Sequence, residues 1–176
     1  MNNKAKYIAY TSLFTALVAV ATIVVVIPIP GTQGFINFGD IIILTVALAY
    51  GGVPALLAGG IGSALADIIV GFSIWAPFTL IIKGLEGYIV YIIFAKLFHR
   101  PLHPSLFTSK FQWQGTIALT AGVLIMVIGY YLASVIVIGT FSGALASIPS
   151  NLVQGFASAI VAYILVFVVK IGKFLK

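Results

Sequence analysis

The stretch WAPFTLIIKGLEGYIVYIIFAKLF, Trp75–Phe98, decides the fold. It is apolar and aromatic almost throughout, and it is long enough to cross a bilayer, which takes about 20 residues at 1.5 Å rise each. Yet Lys83 and Glu86 stand well inside it. A charged side chain at mid-membrane costs about 2.5–3.5 kcal/mol on insertion scales, and such groups face a bundle interior or a pathway. The spacing i, i+3 places both on one helix face, close enough to pair. This segment is therefore read as a membrane helix with a polar inner face.

The rest of the chain reads the same way. Of 176 residues, 62% are hydrophobic and only 7% are charged. A water-soluble domain carries about 25% charged residues, so a soluble globule is excluded. A disordered chain is excluded too, since it would need low hydrophobicity. Further apolar runs lie at 7–29, 115–138 and 148–169, beside 77–98 within the opening stretch. The run at 7–29 is too long for the 7–15-residue core of a secretory signal and is read as a retained span. The region 35–72 is too long for one helix. Gly51, Gly52 and Pro54 divide it into 36–50 and 54–71, because Pro suits a first helical turn and a Gly pair suits the turn before it.

The cations choose between five and six spans. Cytoplasmic loops are enriched in Lys and Arg. Lys4 and Lys6 precede the first run, Lys96, Arg100 and Lys110 cluster around 97–113, and Lys170, Lys173 and Lys176 follow the last. Six spans put all of these on one side, leaving Lys83 as the only cation elsewhere. The expectation is an all-α integral membrane protein: one domain over 1–176, six transmembrane helices, both termini cytoplasmic. The external segments are then 30–40, 72–76 and 140–147, without a single Lys or Arg. The net charge of +6 reports membrane orientation rather than a nucleic-acid partner.

The scarce polar residues gather toward the external face. Asp40 stands at the start of the second span, either as a charge favoured by the helix N-terminus or as a ligand contact. Asp67 follows Gly59, Gly60, Gly62, Ser63, Ala64 and Ala66, a small-residue face suited to close helix packing. It fits a structural hydrogen bond as well as a ligand. Asn37, Asn151 and Gln154, with Trp75, Phe78, Tyr130 and Tyr131, resemble the makings of a pocket with aromatic walls and a few convergent polar groups. On the first span Ala9, Ser12, Ala16 and Ala19 form a narrow stripe that another helix can approach closely. There is no Cys, no G-x-x-x-x-G-K-[ST], no H-E-x-x-H and no G-x-S-x-G. No catalytic residue, metal site or cofactor is expected, and His99 and His103 read as residues of a solvated loop.

Four pieces in order carry a family resemblance: GFINFGD at Gly34–Asp40, YGGVPA at Tyr50–Ala55, GGIGSALAD at Gly59–Asp67 and WAPFTLIIKGLEG at Trp75–Gly87. They resemble the substrate-binding S components of energy-coupling factor (ECF) vitamin transporters. They are most similar to the subgroup assigned to pyridoxine or hydroxymethylpyrimidine, sometimes labelled riboflavin-type. Length and span count match over nearly the whole chain, and the specific part is 34–87. The resemblance implies a non-enzymatic subunit in a prokaryotic cell membrane that binds a small vitamin from outside and topples in the bilayer to deliver it. Its partners would be a membrane coupling protein, T, and two cytoplasmic ATPases, which fits the missing P-loop. It implies docking on T through Ser12 and Ala16, with Ala9 and Ala19 extending that face, and a lid at 30–39 hinged at Gly31, Gly34 and Gly39. The vitamin would be held by Asn37, Asp40, Trp75, Lys83, Glu86, Tyr130, Asn151 and Gln154. A rival reading of the same charges is an autonomous proton-coupled carrier relaying through Lys83 and Glu86; a third is a purely structural membrane subunit.

Overall fold

In the computed structural model, which describes residues 3–29, 34–98 and 112–171, the chain is a bundle of helices. Helix α1 spans Asn3–Val24, α2 Gly39–Ala49, α3 Gly52–Ile69, α4 Ala76–Phe98 and α5 Trp113–Ile138. A single turn, α6, covers Phe141–Ala144, and α7 covers Ser147–Tyr163 before a π-helical turn at Ile164–Val168. Among the described residues, five helical segments are long and apolar enough to cross a membrane. Residues 99–111 and 172–176, with Arg100, Lys110, Lys173, Lys176 and both His residues, lie outside the described residues, as does the lid segment 30–33 with Gly31.

Two expected spans come out shorter. The first ends at Val24 rather than at residue 29, because Ile27–Pro28 forms a strand, β1, paired antiparallel with β2 at Phe35–Ile36. The second, expected over 36–50, is an 11-residue helix. At 1.5 Å per residue it covers about half of a 30 Å hydrocarbon core. Apolar content alone cannot separate strand residues from the helix that follows them. Gly39 explains the sharp start of α2: a side chain there would collide with Thr22 Oγ1 of α1.

The small-residue face of α3 packs as its composition predicts. A Cβ on Gly59 would lie 2.6 Å from the Lys83 carbonyl oxygen, and one on Gly60 would lie 2.6 Å from that of Leu80. One on Gly62 would lie 2.7 Å from the Thr15 carbonyl oxygen. The backbone of α3 thus lies against α4 on one side and α1 on the other, an approach only glycine permits. Gly84 and Gly87 return the contact toward Leu56 and Ala55.

Ring contacts show which helix ends meet. Tyr7 stacks on Tyr50 at 6.3 Å, Phe94 meets Phe167 at 5.9 Å, and the Tyr163 hydroxyl accepts from the Gln112 amide at 2.9 Å. One end of the bundle therefore gathers the starts of α1, α3 and α5 with the ends of α2, α4 and α7. Lys4, Lys6, Lys96 and Lys170 belong to that end. The β1–β2 hairpin and the start of α2 belong to the other.

Candidate functional site

The hairpin end encloses a cavity of about 50 Å³. Ile29, Gly34, Phe35 and Asn37 wall it from the hairpin side; Asp67 comes from α3, Trp75 from the turn before α4 and Thr79 from α4; Tyr130 and Ser134 from α5; Ser147, Asn151 and Gln154 from α7. Such a volume admits a few waters, since one water needs about 10–15 Å³ measured this way. The hairpin is held by its own register, Ile27 opposite Ile36 and Pro28 opposite Phe35, and by the Ile29 amide donating to the Gly34 carbonyl at 3.0 Å. Phe35 also meets Phe72 at 4.8 Å.

Beneath the cavity lies a buried polar chain. Lys83 is 2% exposed, and Asp40 and Glu86 are wholly buried. The Lys83 ammonium donates to Asp40 Oδ1, to Glu86 Oε2 at 3.1 Å and to Met126 Sδ at 2.8 Å. Its nitrogen also lies 5.4 Å from the centre of the Tyr130 ring, within reach of a cation–π attraction. The second oxygen of Asp40 accepts from Gln154 Nε2 at 2.6 Å, and Gln154 Oε1 accepts from the Asn37 backbone amide at 2.9 Å. Asn37 Oδ1 closes the turn by accepting from the Gly39 amide at 2.9 Å. One continuous path of hydrogen bonds thus joins α4, α2 and α7 to the foot of the hairpin.

The residues expected at the site divide into two groups. Asn37, Trp75, Tyr130, Asn151 and Gln154 line the cavity. Asp40, Lys83 and Glu86 sit below it and contact one another. The i, i+3 pairing of Lys83 with Glu86 is present, but Asp40 is a second ion-pair partner. Asp40 stands in the first turn of α2, as expected of a charge at a helix N-terminus, and is in addition a buried counter-ion to Lys83, 43 residues away in sequence. Tyr131 is not among the cavity walls, and Phe78 supports Trp75 edge-on at 6.4 Å. The side-chain amide of Asn151 is engaged within its own helix, donating to the Ser147 carbonyl at 2.8 Å.

Sequence reasoning missed Thr79, Ser134 and Ser147 as walls and left Asp67 undecided. Hydroxyl residues are common in membrane helices, where they bond to their own backbone, so nothing in the pattern marked these three. Tyr130 donates to Thr79 Oγ1 at 3.1 Å, and Asp67 lines the same cavity as both. Among the described residues, two buried polar atoms on cavity walls have no hydrogen-bond partner: Asp67 Oδ2 and Trp75 Nε1.

On the opposite flank, Ala9, Ser12 and Ala16 are exposed on α1 and Ala19 is half-buried. Thr15 and Val18, one position away, face α3. The small-residue stripe is therefore not consumed by packing within the bundle.

Comparison with known proteins agrees with this architecture. Residues 2–171 match the family described as ECF-type riboflavin transporter, S component. An uncharacterized protein of Pyrococcus woesei is 39% identical over 163 residues, covering 90% of this chain and 99% of its own length. The thiamine precursor transporter HmpT of Lactococcus lactis subsp. cremoris is 27% identical over 165 residues, covering 93% of this chain and 87% of its own.

Proposed function

The chain belongs to the family of ECF-type riboflavin transporter S components, a multi-pass transport subunit rather than an enzyme, and on that premise we propose that it captures one small water-soluble vitamin from outside the cell. Hydroxymethylpyrimidine or pyridoxine is favoured, with riboflavin next. The observation that carries this reading is the hairpin-roofed cavity, with its aromatic and polar walls, at the end of the bundle away from Lys4, Lys6, Lys96 and Lys170. By the positive-inside rule that end faces outward. A cavity of about 50 Å³ has to widen for any vitamin, and it has to widen least for a single ring. HmpT, by its name a thiamine precursor transporter, supports the same choice.

In this reading residues 1–176 form one domain with six crossings and both termini cytoplasmic, in the plasma membrane of a prokaryote. Helix α2 and the hairpin together make the crossing that α2 alone is too short to make. Asn37, Trp75, Tyr130, Asn151 and Gln154 meet the vitamin. Asp40, Lys83 and Glu86 hold the floor on which they stand. The hairpin is the lid, and Gly39 serves close packing against Thr22. Ala9, Ser12, Ala16 and Ala19 dock on a T protein that carries two ATPases, and delivery is by toppling of the whole subunit.

The test has two arms. Purified protein in detergent should bind one of these vitamins below the micromolar range; failure with every B vitamin removes the capture role. Liposomes holding this chain alone should show no uptake, and adding T, the ATPases and ATP should start it. Uptake by the chain alone along a proton gradient would establish the autonomous carrier instead.

A further inference from the structure

We infer that Asp67 and the Trp75 indole N–H are the specificity-determining pair of the cavity. They select a small heteroaromatic ring that carries an amine donor and a ring acceptor, and that carries no phosphate. The inference rests on the capture reading and deepens it.

Two observations carry it. First, Asp67 is 4% and Trp75 6% exposed, both wall the same cavity, and each keeps one buried polar atom without a partner. Buried polar groups are nearly always paired, so an unpaired one needs a reason. Glu86 Oε1 and Thr45 Oγ1 are unpaired too, but neither residue lines the cavity. The two that do line it are complementary: a carboxylate oxygen accepts, and an indole N–H only donates. A ring that offers a donor to Asp67 and an acceptor to Trp75 satisfies both at once. Thr79 and Tyr130 wall the same cavity and are hydrogen-bonded to each other, so they leave the Asp67 acceptor to the ligand.

Second, the charges in and under the cavity are one ammonium, Lys83, and three carboxyls, Asp40, Glu86 and Asp67. Lys83 is already engaged by Asp40 and Glu86, and it is not among the cavity-lining residues. Among the described residues lining the cavity an incoming phosphate or carboxylate would find no cation, and it would face the Asp67 side chain. Like-charge contact in a site shielded from water is strongly unfavourable, so neutral or cationic rings are selected.

The experiment is a binding series on the intact protein in detergent, using amino hydroxymethyl pyrimidine, the same ring without its amine, its phosphate monoester, pyridoxine and riboflavin. Losing the amine should weaken binding to the unmodified protein by about 100-fold, because a buried charged acceptor is left unpaired. The phosphate ester should bind at least about 100-fold more weakly than its parent. In Asp67→Asn the amine-bearing ring should lose about 100-fold while the ring without the amine changes little. Trp75→Phe keeps an aromatic wall and removes only the N–H, so both rings should lose about 10-fold. Equal affinity of the unmodified protein for the two rings overturns the inference, even if a variant fails to fold. So does tight binding of riboflavin alone, which would leave vitamin capture intact. Failure of every ring to bind overturns both readings.

Discussion

Helices α1 and α4 read almost alike by mean hydropathy, 1.9 against 1.7 over spans of 21 and 22 residues, yet they occupy opposite positions. Helix α4 lies between α3 and α5, with α2 across it, and buries Lys83 and Glu86 completely. Helix α1 flanks the bundle against α3 and α2 and leaves Tyr7, Ile8, Leu13, Leu17 and Val20 exposed. Hydropathy places a helix in the membrane; the positions of charge and of small residues decide its place in the bundle. On α4 the two mid-helix charges, Lys83 and Glu86, face inward and find partners, while Lys96 stays exposed in the last turn. On α1 the charges, Lys4 and Lys6, stay at the end, and Ala9, Ser12 and Ala16 are left exposed for another surface.

The sharpest way to break this comparison is to remove the buried cation. Lys83→Met leaves Asp40 and Glu86 facing each other in the bundle interior. Breaking a buried pair from one side costs about 3–5 kcal/mol, so the unfolding midpoint in detergent should fall steeply. Lys83→Met combined with Asp40→Asn and Glu86→Gln should recover part of the loss, because no uncompensated charge remains. Lys6→Met on α1 should change stability by less than about 0.5 kcal/mol. If Lys83→Met unfolds like the parent protein, the ion cluster does not hold α4 at the centre.

A smaller effect is expected at the seam. In Gly60→Val the new side chain starts 2.6 Å from the Leu80 carbonyl oxygen, and backbone cannot turn aside as a flexible side chain can. The cost should be about 1–3 kcal/mol, the usual range for overpacking, read as a lower midpoint and a poorer yield of monodisperse protein. Gly71→Ala is the control, since nothing lies within 4 Å of its Cβ. Its φ of +89° makes it a local strain test rather than a packing one. A seam that tolerates Val at residue 60 would mean that α3 and α4 can separate without loss.

Much of this arrangement was legible in the sequence, and the gaps have physical causes. The long apolar runs marked α1, α4, α5 and α7, the break at Gly51, Gly52 and Pro54 marked α3, and the Gly-rich run 59–67 announced the close seam. The i, i+3 spacing announced the Lys83–Glu86 pair. The Asp40–Lys83 pair was not legible, because nothing local states which faces of α2 and α4 turn toward each other. The hairpin was hidden for a different reason: Ile27 and Phe35–Ile36 are as apolar as the helices they adjoin, and hydropathy does not distinguish a strand over a cavity from another turn of helix. Asp67 was visible as an anomaly, but that it lines a cavity depends on Thr79 and Tyr130, which come from two other helices.

The smallest effect on stability is expected on α1, and it tests the other half of the comparison. Ala16 is exposed, and its neighbours Thr15 and Val18 make the contact with α3. A bulky side chain at residue 16 therefore has open space on the subunit itself. Ala16→Trp should shift the unfolding free energy by less than about 0.5 kcal/mol and leave vitamin affinity unchanged, since the cavity lies on the far side of the bundle end. A small-residue stripe, however, serves by letting a second helix come close, and an indole in its middle holds that helix away. Co-purification with the T protein should be lost, and uptake with it, while binding in detergent stays intact. Loss of binding together with assembly would show that α1 supports the cavity after all. An unaltered complex would remove α1 from the interface and leave its exposed face in contact with lipid alone.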